Sequence, residues 1–196
     1  MLNDKLKEYQ IILASASPRR KQLLQELGVN FRVQPKDIEE HFDANLSPEL
    51  VAEQLSESKA LAFSEEELDE KTIIITADTV VTIDGVILGK PKDAEEAREM
   101  LRRLSGRSHE VITGVTLRSA TKMETFSVVT KVFFKELSDE EIDYYITNFK
   151  PFDKAGAYGI QEWIGHIAVE RIEGSYFNVM GLPTHRLYME LHTFAG

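Results

Sequence analysis

The fold is decided by the stretch IILASASPRRKQLLQELG, residues 11 to 28. A short apolar run gives way to small polar residues, and then Leu23, Leu24 and Leu27 recur on one helical face. Ser17 is a favourable N-cap, and Pro18 suits the first helical position, where its missing N–H would be unpaired anyway. Gly28 is typical of a residue that ends a helix. The stretch therefore predicts a strand, a tight loop and a helix.

The rest of the chain alternates between the same two kinds of element. Strands are predicted at residues 31–33, 72–77, 80–83, 86–88, 111–117, 125–134 and 167–172, and helices start near Ser47, Asp93, Ser138 and Pro183. Asp84-Gly85 predicts a type I′ hairpin turn, so the sheet cannot be purely parallel. We expect a single α/β domain over residues 1–196, with a mixed, strongly twisted sheet flanked by helices and two lobes around a cleft.

Composition limits the possible partners. The 196 residues hold 33 acidic and 23 basic side chains, a formal charge of −10, and no cysteine. Nucleic acids and anionic membranes would be repelled, so a polyanionic ligand needs a local basic pocket. The absence of cysteine excludes disulfides, thiolate zinc sites and a cysteine nucleophile. Since no apolar stretch approaches the roughly 20 residues of a membrane span, we expect a soluble cytoplasmic protein.

The loop of the opening stretch is a candidate phosphate site. A helix N-terminus offers unpaired N–H groups and the positive end of a dipole, and Arg19 and Arg20 add forked donors. The alternative is a capped helix whose arginines only face water. Spacing alone leaves the two interpretations evenly balanced.

Asp78 follows a continuous apolar run and is predicted to lie at the end of a buried strand, where sites of α/β proteins gather. A turn-initiating aspartate is the usual alternative. Thr79 and the Gly89-Lys90-Pro91 segment could converge on the same edge. Lys59, on the second helix, is uninformative by itself, and the acidic pair Glu39-Glu40 could be solvated surface or ligands for Mg²⁺.

Other kinds of site lack support. The glycines form neither a P-loop nor a dinucleotide fingerprint, the five histidines show no metal-binding spacing, and no serine lies in a G-x-S-x-G elbow.

Taken together, these residues resemble the Maf family of septum-formation-associated nucleoside triphosphate pyrophosphatases. The blocks that carry the resemblance are Leu13 to Arg20, Ile38-Glu39-Glu40, Ala77-Asp78-Thr79, Gly89-Lys90-Pro91, Leu104 to Arg107, Asp153 to Gln161 and Val179 to Pro183. They occur in this order over nearly the whole chain, so chance is a poor explanation. Glu162-Trp163, after Gln161, is less typical of the family.

The resemblance implies a fold like that of inosine triphosphate pyrophosphatases and hydrolysis of a nucleoside triphosphate to a monophosphate and pyrophosphate. It makes Asp78 the proton acceptor and Glu40 a pocket residue. The Mg²⁺ that a triphosphate needs would be held by Glu40, alone or together with Asp78, and the sequence does not separate base from metal ligand at Asp78. Residues implied in substrate choice are Arg19, Thr79 and Gln161, and further pocket residues are Ser15, Arg20, Lys59 and Lys90. The chain resembles the branch that acts on dTTP and UTP, since the branch that acts on methylated guanine tends to carry Trp, Gln and Glu where this chain has Arg19, Thr79 and Gln161. The amide of Gln161 would also suit the imide of thymine or uracil.

The resemblance also implies a divalent cation, Mg²⁺ or Mn²⁺, and a homodimer. A rival interpretation is a nucleotide-binding regulator of cell division that holds a triphosphate without turnover. Asp78 speaks against it, since a carboxylate beside a triphosphate weakens binding unless it holds metal or does chemistry.

Overall fold

The computed structural model describes residues 1–39, 41–43 and 45–196. The helices in this part of the chain are α1 (Leu2–Leu6), α2 (Pro18–Glu26), α3 (Pro48–Leu61), α4 (Ala94–Leu104), α5 (Asp139–Phe149), α6 (Trp163–Ala168), α7 (Tyr176–Met180) and α8 (Thr184–Phe194). The strands are β1 (Gln10–Leu13), β2 (Arg32–Val33), β3 (Thr72–Ile83), β4 (Val86–Leu88), β5 (Ser108–Arg118), β6 (Met123–Phe134) and β7 (Val169–Glu173). Among the described residues, no helix combines the length and the apolar character that crossing a membrane requires.

The sheet has seven strands in the order β2-β1-β3-β5-β6-β7, with β4 paired to β3. β1 runs parallel to both β2 and β3, whereas β4 is antiparallel to β3 and β7 is antiparallel to β6. The predicted mixed α/β fold is therefore confirmed.

The helices begin where local signals predict. The side chains of Ser17, Ser47, Asp93 and Ser138 each accept a hydrogen bond from the backbone N–H three residues later. Each cap satisfies one of the N–H groups that a first helical turn leaves unpaired.

The course of β3 differs from the prediction. The strand does not end at Ala77 but runs through Asp78 to Ile83. Its first part pairs with β1 and its last part pairs with β4, so the strand changes partner instead of stopping. The hairpin itself is confirmed, since Asp84 and Gly85 have φ of 54° and 72°, the positive values that a type I′ turn needs.

The strand predicted from residue 167 is also shorter than expected. Residues Trp163–Ala168 form α6, and β7 starts only at Val169.

The chain folds as two compact units, one of residues 1–78, 113–128 and 181–196 and the other of residues 79–112 and 129–180. We call them the first and the second unit. The strands β3, β5 and β6 each pass from one unit to the other. The predicted cleft between two lobes stays a prediction.

In the first unit, α3 lies directly on β5. A Cβ atom on Gly114 would come 2.2 Å from the carbonyl oxygen of Ala52, a distance that no real side chain allows. Small residues of α3 face the strands at this contact, and Ser56 is fully buried there. Its hydroxyl lies 2.9 Å from that of Thr116, and its carbonyl accepts a hydrogen bond from the Thr76 hydroxyl at 2.7 Å. The position of α3 along the sheet is thus fixed by polar contacts as well as by close packing.

The second unit has its own apolar core. Its buried members come mainly from the last part of β3, α4, the start of β5, α5 and the segment before α6, and they include Val81, Leu101, Leu104, Val111, Tyr145, Tyr158 and Ile164. This core supports the loop that carries Gln161.

Candidate active site

The N-terminus of α2 carries the first group of predicted residues. The hydroxyl of Ser17 accepts from the backbone N–H of Arg20 at 3.5 Å, and the hydroxyl of Ser15 accepts from the N–H of Ser17 at 3.2 Å. Nε of Arg20 donates to the carbonyl of Gly181 at 2.8 Å. The Arg20 side chain is therefore docked on the protein and half-buried, as is Arg19. Both arginines belong to the first turn of α2, so two cationic residues and the positive end of the helix dipole occur together, an arrangement that suits an anion.

Asp78 and Lys59 form an ion pair in which Nζ of Lys59 donates to Oδ1 of Asp78. Their side chains are only 13% and 16% exposed, respectively. The pair follows from the contact between α3 and β3, because the hydrogen bond from Thr76 to the Ser56 carbonyl sets the two elements in register. Lys59 lies one helical turn beyond Ser56, so it reaches the strand next to Asp78.

The α2 loop and Asp78 emerge at the same edge of the sheet. β1 and β3 are parallel, Leu13 is in register with Ile75, and the N–H of Ala14 donates to the Ile75 carbonyl at 2.9 Å. β1 stops there while β3 continues. The predicted edge position of Asp78 is thus created by the end of the neighbouring strand, and not by the end of its own.

The second unit joins the segments that carry Lys90 and Gln161. The N–H of Gly156 donates to the carbonyl of Gly89 at 3.1 Å. Gly156 has φ of 68°, and a Cβ atom there would lie 2.9 Å from Cγ1 of Val81, two residues beyond Thr79. Glycine is therefore needed at this position, where the segment passes between the Lys90 loop and β3.

Lys154, Glu162 and Tyr145, for which the sequence predicts no role, form a network beside the turn that contains Gln161. Lys154 has a side chain only 8% exposed, and its Nζ lies 3.1 Å from Oε1 of Glu162. Oε2 of Glu162 accepts a hydrogen bond from the hydroxyl of Tyr145. The sequence pointed to Lys154 only through its position in the block Asp153 to Gln161, because the sequence does not show that a lysine is buried. Trp163 stacks at a tilt on Tyr144, with ring centroids 4.7 Å apart, as expected of a packing residue.

The predicted metal ligands are only partly described. Glu40 lies outside the described residues. Within residues 1–39, 41–43 and 45–196, no group of three or more histidine, aspartate and glutamate side chains could hold a metal ion. Mg²⁺ is commonly held by one or two carboxylates together with substrate phosphates, so Asp78 fits this mode of binding.

The fold and the site define a class: a mixed α/β protein with a half-buried carboxylate–ammonium pair beside a helix N-terminus that carries two arginines. Residues 10–194 match the family model described as Maf-like protein. The chain belongs to this family, which confirms the resemblance seen in its sequence blocks.

Curated relatives match the chain over nearly its full length. The chain is 54% identical over 193 residues to the dTTP/UTP pyrophosphatase of Porphyromonas gingivalis, covering 97% of each chain. It is 52% identical over 193 residues to the dTTP/UTP pyrophosphatase of Flavobacterium johnsoniae, covering 98% of this chain and 99% of that one.

A solved structure of a nucleoside-triphosphatase, dITP/XTP pyrophosphatase, from Mycobacterium abscessus also matches. The TM-score is 0.42 at 15% identity, covering 65% of this chain and 75% of that chain. A match at this level adds no argument about fold or activity.

Proposed function

We propose that this protein hydrolyses the α–β phosphoanhydride bond of dTTP and UTP to the nucleoside monophosphate and pyrophosphate. The relatives named dTTP/UTP pyrophosphatase support the proposal, at 54% and 52% identity over almost the complete chain. The structural observation that carries it is the half-buried pair of Asp78 and Lys59, at the sheet edge shared with the α2 N-terminus.

Charge neutralisation is the first requirement of phosphoanhydride hydrolysis, because its transition state spreads negative charge over the phosphate oxygens. Arg19 and Arg20, on the first turn of α2, add their charges to the positive end of the helix dipole. Lys59 and Lys90 supply two ammonium groups. Fixed cations of this kind contribute most of the acceleration in such reactions, since they need no rearrangement as charge develops.

Asp78 has the role of general base. It takes a proton from a water molecule whose oxygen forms a bond to the α-phosphorus. The bond from that phosphorus to the α–β bridging oxygen breaks, and pyrophosphate leaves with the bonding electrons. Lys59 balances the charge of Asp78 before substrate binds.

Base recognition is assigned to Gln161, with Arg19 and Thr79 as further determinants of substrate choice. The amide of Gln161 offers one donor and one acceptor side by side, and uracil and thymine present the complementary pair at N3 and the 4-carbonyl.

A divalent cation, Mg²⁺ or Mn²⁺, is part of the proposal. Asp78 would hold it together with Glu40, and the cation would supply further charge neutralisation at the phosphates. The cytoplasmic location and the homodimer stay predictions.

The test is product analysis with UTP labelled at the α-phosphate. UMP and pyrophosphate as first products are expected, and orthophosphate as first product contradicts the assignment. Asp78→Asn should lower kcat on the order of 10² to 10⁴-fold, the usual contribution of a general base.

The matched control is Asp84→Asn, which changes an exposed aspartate paired with Arg107 at the tip of the β3–β4 hairpin. It should leave kcat unchanged. Tight binding of UTP by the unmodified protein without any turnover would favour the regulator over the enzyme.

A further inference from the structure

The surroundings of Gln161 suggest how the base is selected, an inference that rests on the proposed function. A glutamine amide can turn by 180°, which exchanges its donor and its acceptor. Uracil presents a donor at N3 and an acceptor at position 4, whereas cytosine presents the reverse. A freely turning amide would accept both bases. Selectivity for uracil and thymine therefore requires that the amide be held in one orientation.

A closed chain of contacts lies beside this amide. Nζ of Lys154 is 3.1 Å from Oε1 of Glu162, and the Tyr145 hydroxyl donates to Oε2 of the same carboxylate. The Tyr145 hydroxyl in turn accepts from the N–H of Gly159 at 3.0 Å. The N–H of Glu162 donates to the Gly159 carbonyl at 3.0 Å, which closes the turn that contains Gln161.

The protonation state of Tyr145 keeps this chain intact. Burial, and then the hydrogen bond to Glu162, raise the pKa of Tyr145 well above its ordinary value of 10.0. The hydroxyl therefore stays a donor to the carboxylate throughout the neutral pH range.

Gly159 shows how close the amide and the carboxylate are. A Cβ atom built on Gly159 would lie 3.0 Å from each of three atoms, namely Nε2 of Gln161, Cδ of Glu162 and Cε of Lys154. Because both atoms lie 3.0 Å from the same point, Nε2 of the amide and Cδ of the Glu162 carboxylate are within about 6 Å of each other. A negative carboxylate favours the N–H₂ side of an amide next to it and disfavours the oxygen.

The oxygen of the amide has the complementary environment. Oε1 of Gln161 is buried and has no hydrogen-bond partner among residues 1–39, 41–43 and 45–196. A buried acceptor without a donor is unfavourable, and the N3–H of a uracil or thymine ring is a donor that would satisfy it.

We propose that Glu162, held by Lys154 and Tyr145, is a positioning residue that fixes the orientation of the Gln161 amide and so determines selectivity for uracil and thymine over cytosine. The network acts on base choice and leaves the hydrolytic step unchanged.

The test compares Glu162→Gln with the unmodified protein. The variant keeps the size of the side chain and an acceptor for Tyr145, but it removes the charge that orients the amide. Affinity is measured for α,β-imido UTP and α,β-imido CTP, whose replaced bond cannot be cleaved in the proposed reaction, and kcat and KM are measured for UTP and CTP. The preference for the uracil analogue should fall about tenfold, with kcat for UTP changed less than about threefold.

Glu141→Gln is the matched control, because Glu141 also pairs with a lysine of the second unit, Lys135, at 2.8 Å. It should leave the preference intact. Equal weakening of both analogues by Glu162→Gln would overturn the inference, since that result indicates support of the fold alone. If Glu162→Gln does not fold, Tyr145→Phe is tested instead, again by the ratio of the affinities for α,β-imido UTP and α,β-imido CTP.

The inference and the proposed function fail in different ways. Uracil-selective binding without release of pyrophosphate would contradict the proposed function. The ratio of the affinities for the uracil and cytosine analogues would still decide the role of Glu162. Equal binding of both analogues by the unmodified protein would overturn the inference even if UTP is hydrolysed.

Discussion

His109 should make the stability of this protein fall steeply in mild acid. The side chain is 2% exposed in β5, its Nε2 lies 2.7 Å from the hydroxyl of Tyr158, and its ring meets Phe134 edge-on with centroids 4.9 Å apart. Burial lowers the pKa of His109 from 6.5 to about 4, because the charged ring would lose its hydration. The folded protein therefore holds this imidazole neutral where the unfolded chain protonates it.

The magnitude follows from the two pKa values. Between pH 6.5 and about 4 the unfolded chain binds more protons at His109 than the folded protein does, so stability rises with pH in that window. The contribution of the neutral His109 side chain to the free energy of unfolding is complete above pH 6.5 and is lost as the pH falls through 4. At 1.36 kcal/mol per pKa unit, the change amounts to about 3 kcal/mol.

The assay is urea unfolding at several pH values between 7 and 4, for the unmodified protein and for His109→Gln. Glutamine can still bond the Tyr158 hydroxyl but does not titrate. The free energy of unfolding of the unmodified protein should fall by about 3 kcal/mol more than that of the variant over this range. His166→Gln, at an exposed position in the same unit, is the control and should keep the full pH dependence. Parallel curves for the unmodified protein and His109→Gln would refute the reasoning.

Three further substitutions test the contact of α3 with β5, the hairpin turn and the cap of α2. Gly114→Ala should destabilise the protein by about 3 kcal/mol or more in urea unfolding, because its Cβ would meet the Ala52 carbonyl oxygen at 2.2 Å. It should also lower kcat, since α3 carries Lys59. An unchanged kcat would show that the contact between α3 and β5 does not position Lys59. Gly85→Ala should cost about 1 kcal/mol in the same assay, because φ is 72° and nothing lies within 4 Å of the new methyl group, so only backbone strain is added. Ser17→Ala should lower stability by about 1 kcal/mol through loss of the α2 cap, and a thermal midpoint equal to that of the unmodified protein would contradict this role.

The sequence was enough to predict helix starts and turns wherever a few neighbouring residues determine the backbone conformation. Ser17-Pro18 fixes the start of α2, Ser138 with Glu141 forms a capping box at α5, and Asp84-Gly85 turns the hairpin. In each case the decisive hydrogen bond or dihedral angle lies within three or four residues, so sequence alone specifies it.

β3 could not be predicted in the same way. Its residues from Thr72 to Ile83 are mostly β-branched or apolar on both sides of Asp78, and no local signal tells whether the strand stops there. What sets Asp78 apart is that β1 ends at Leu13, in register with Ile75, so that β3 continues to Asp78 without this neighbour. A strand carries no information about where its neighbour ends. Residues 167 and 168 were wrongly assigned to a strand, because their apolar character suits the end of a short helix as well as the start of a strand.

The sequence by itself determined the family, the longer helices and the hairpin, and the chemical groups of the candidate site, because these depend on residue type and short spacing. The tertiary structure decided which of those groups meet. Lys59 reaches Asp78, 19 residues away, because α3 rests on Gly114, and Lys154 is enclosed with Glu162 because the loop folds back over Gly159. Each contact depends on the packing of separate segments, which residue type and spacing do not specify.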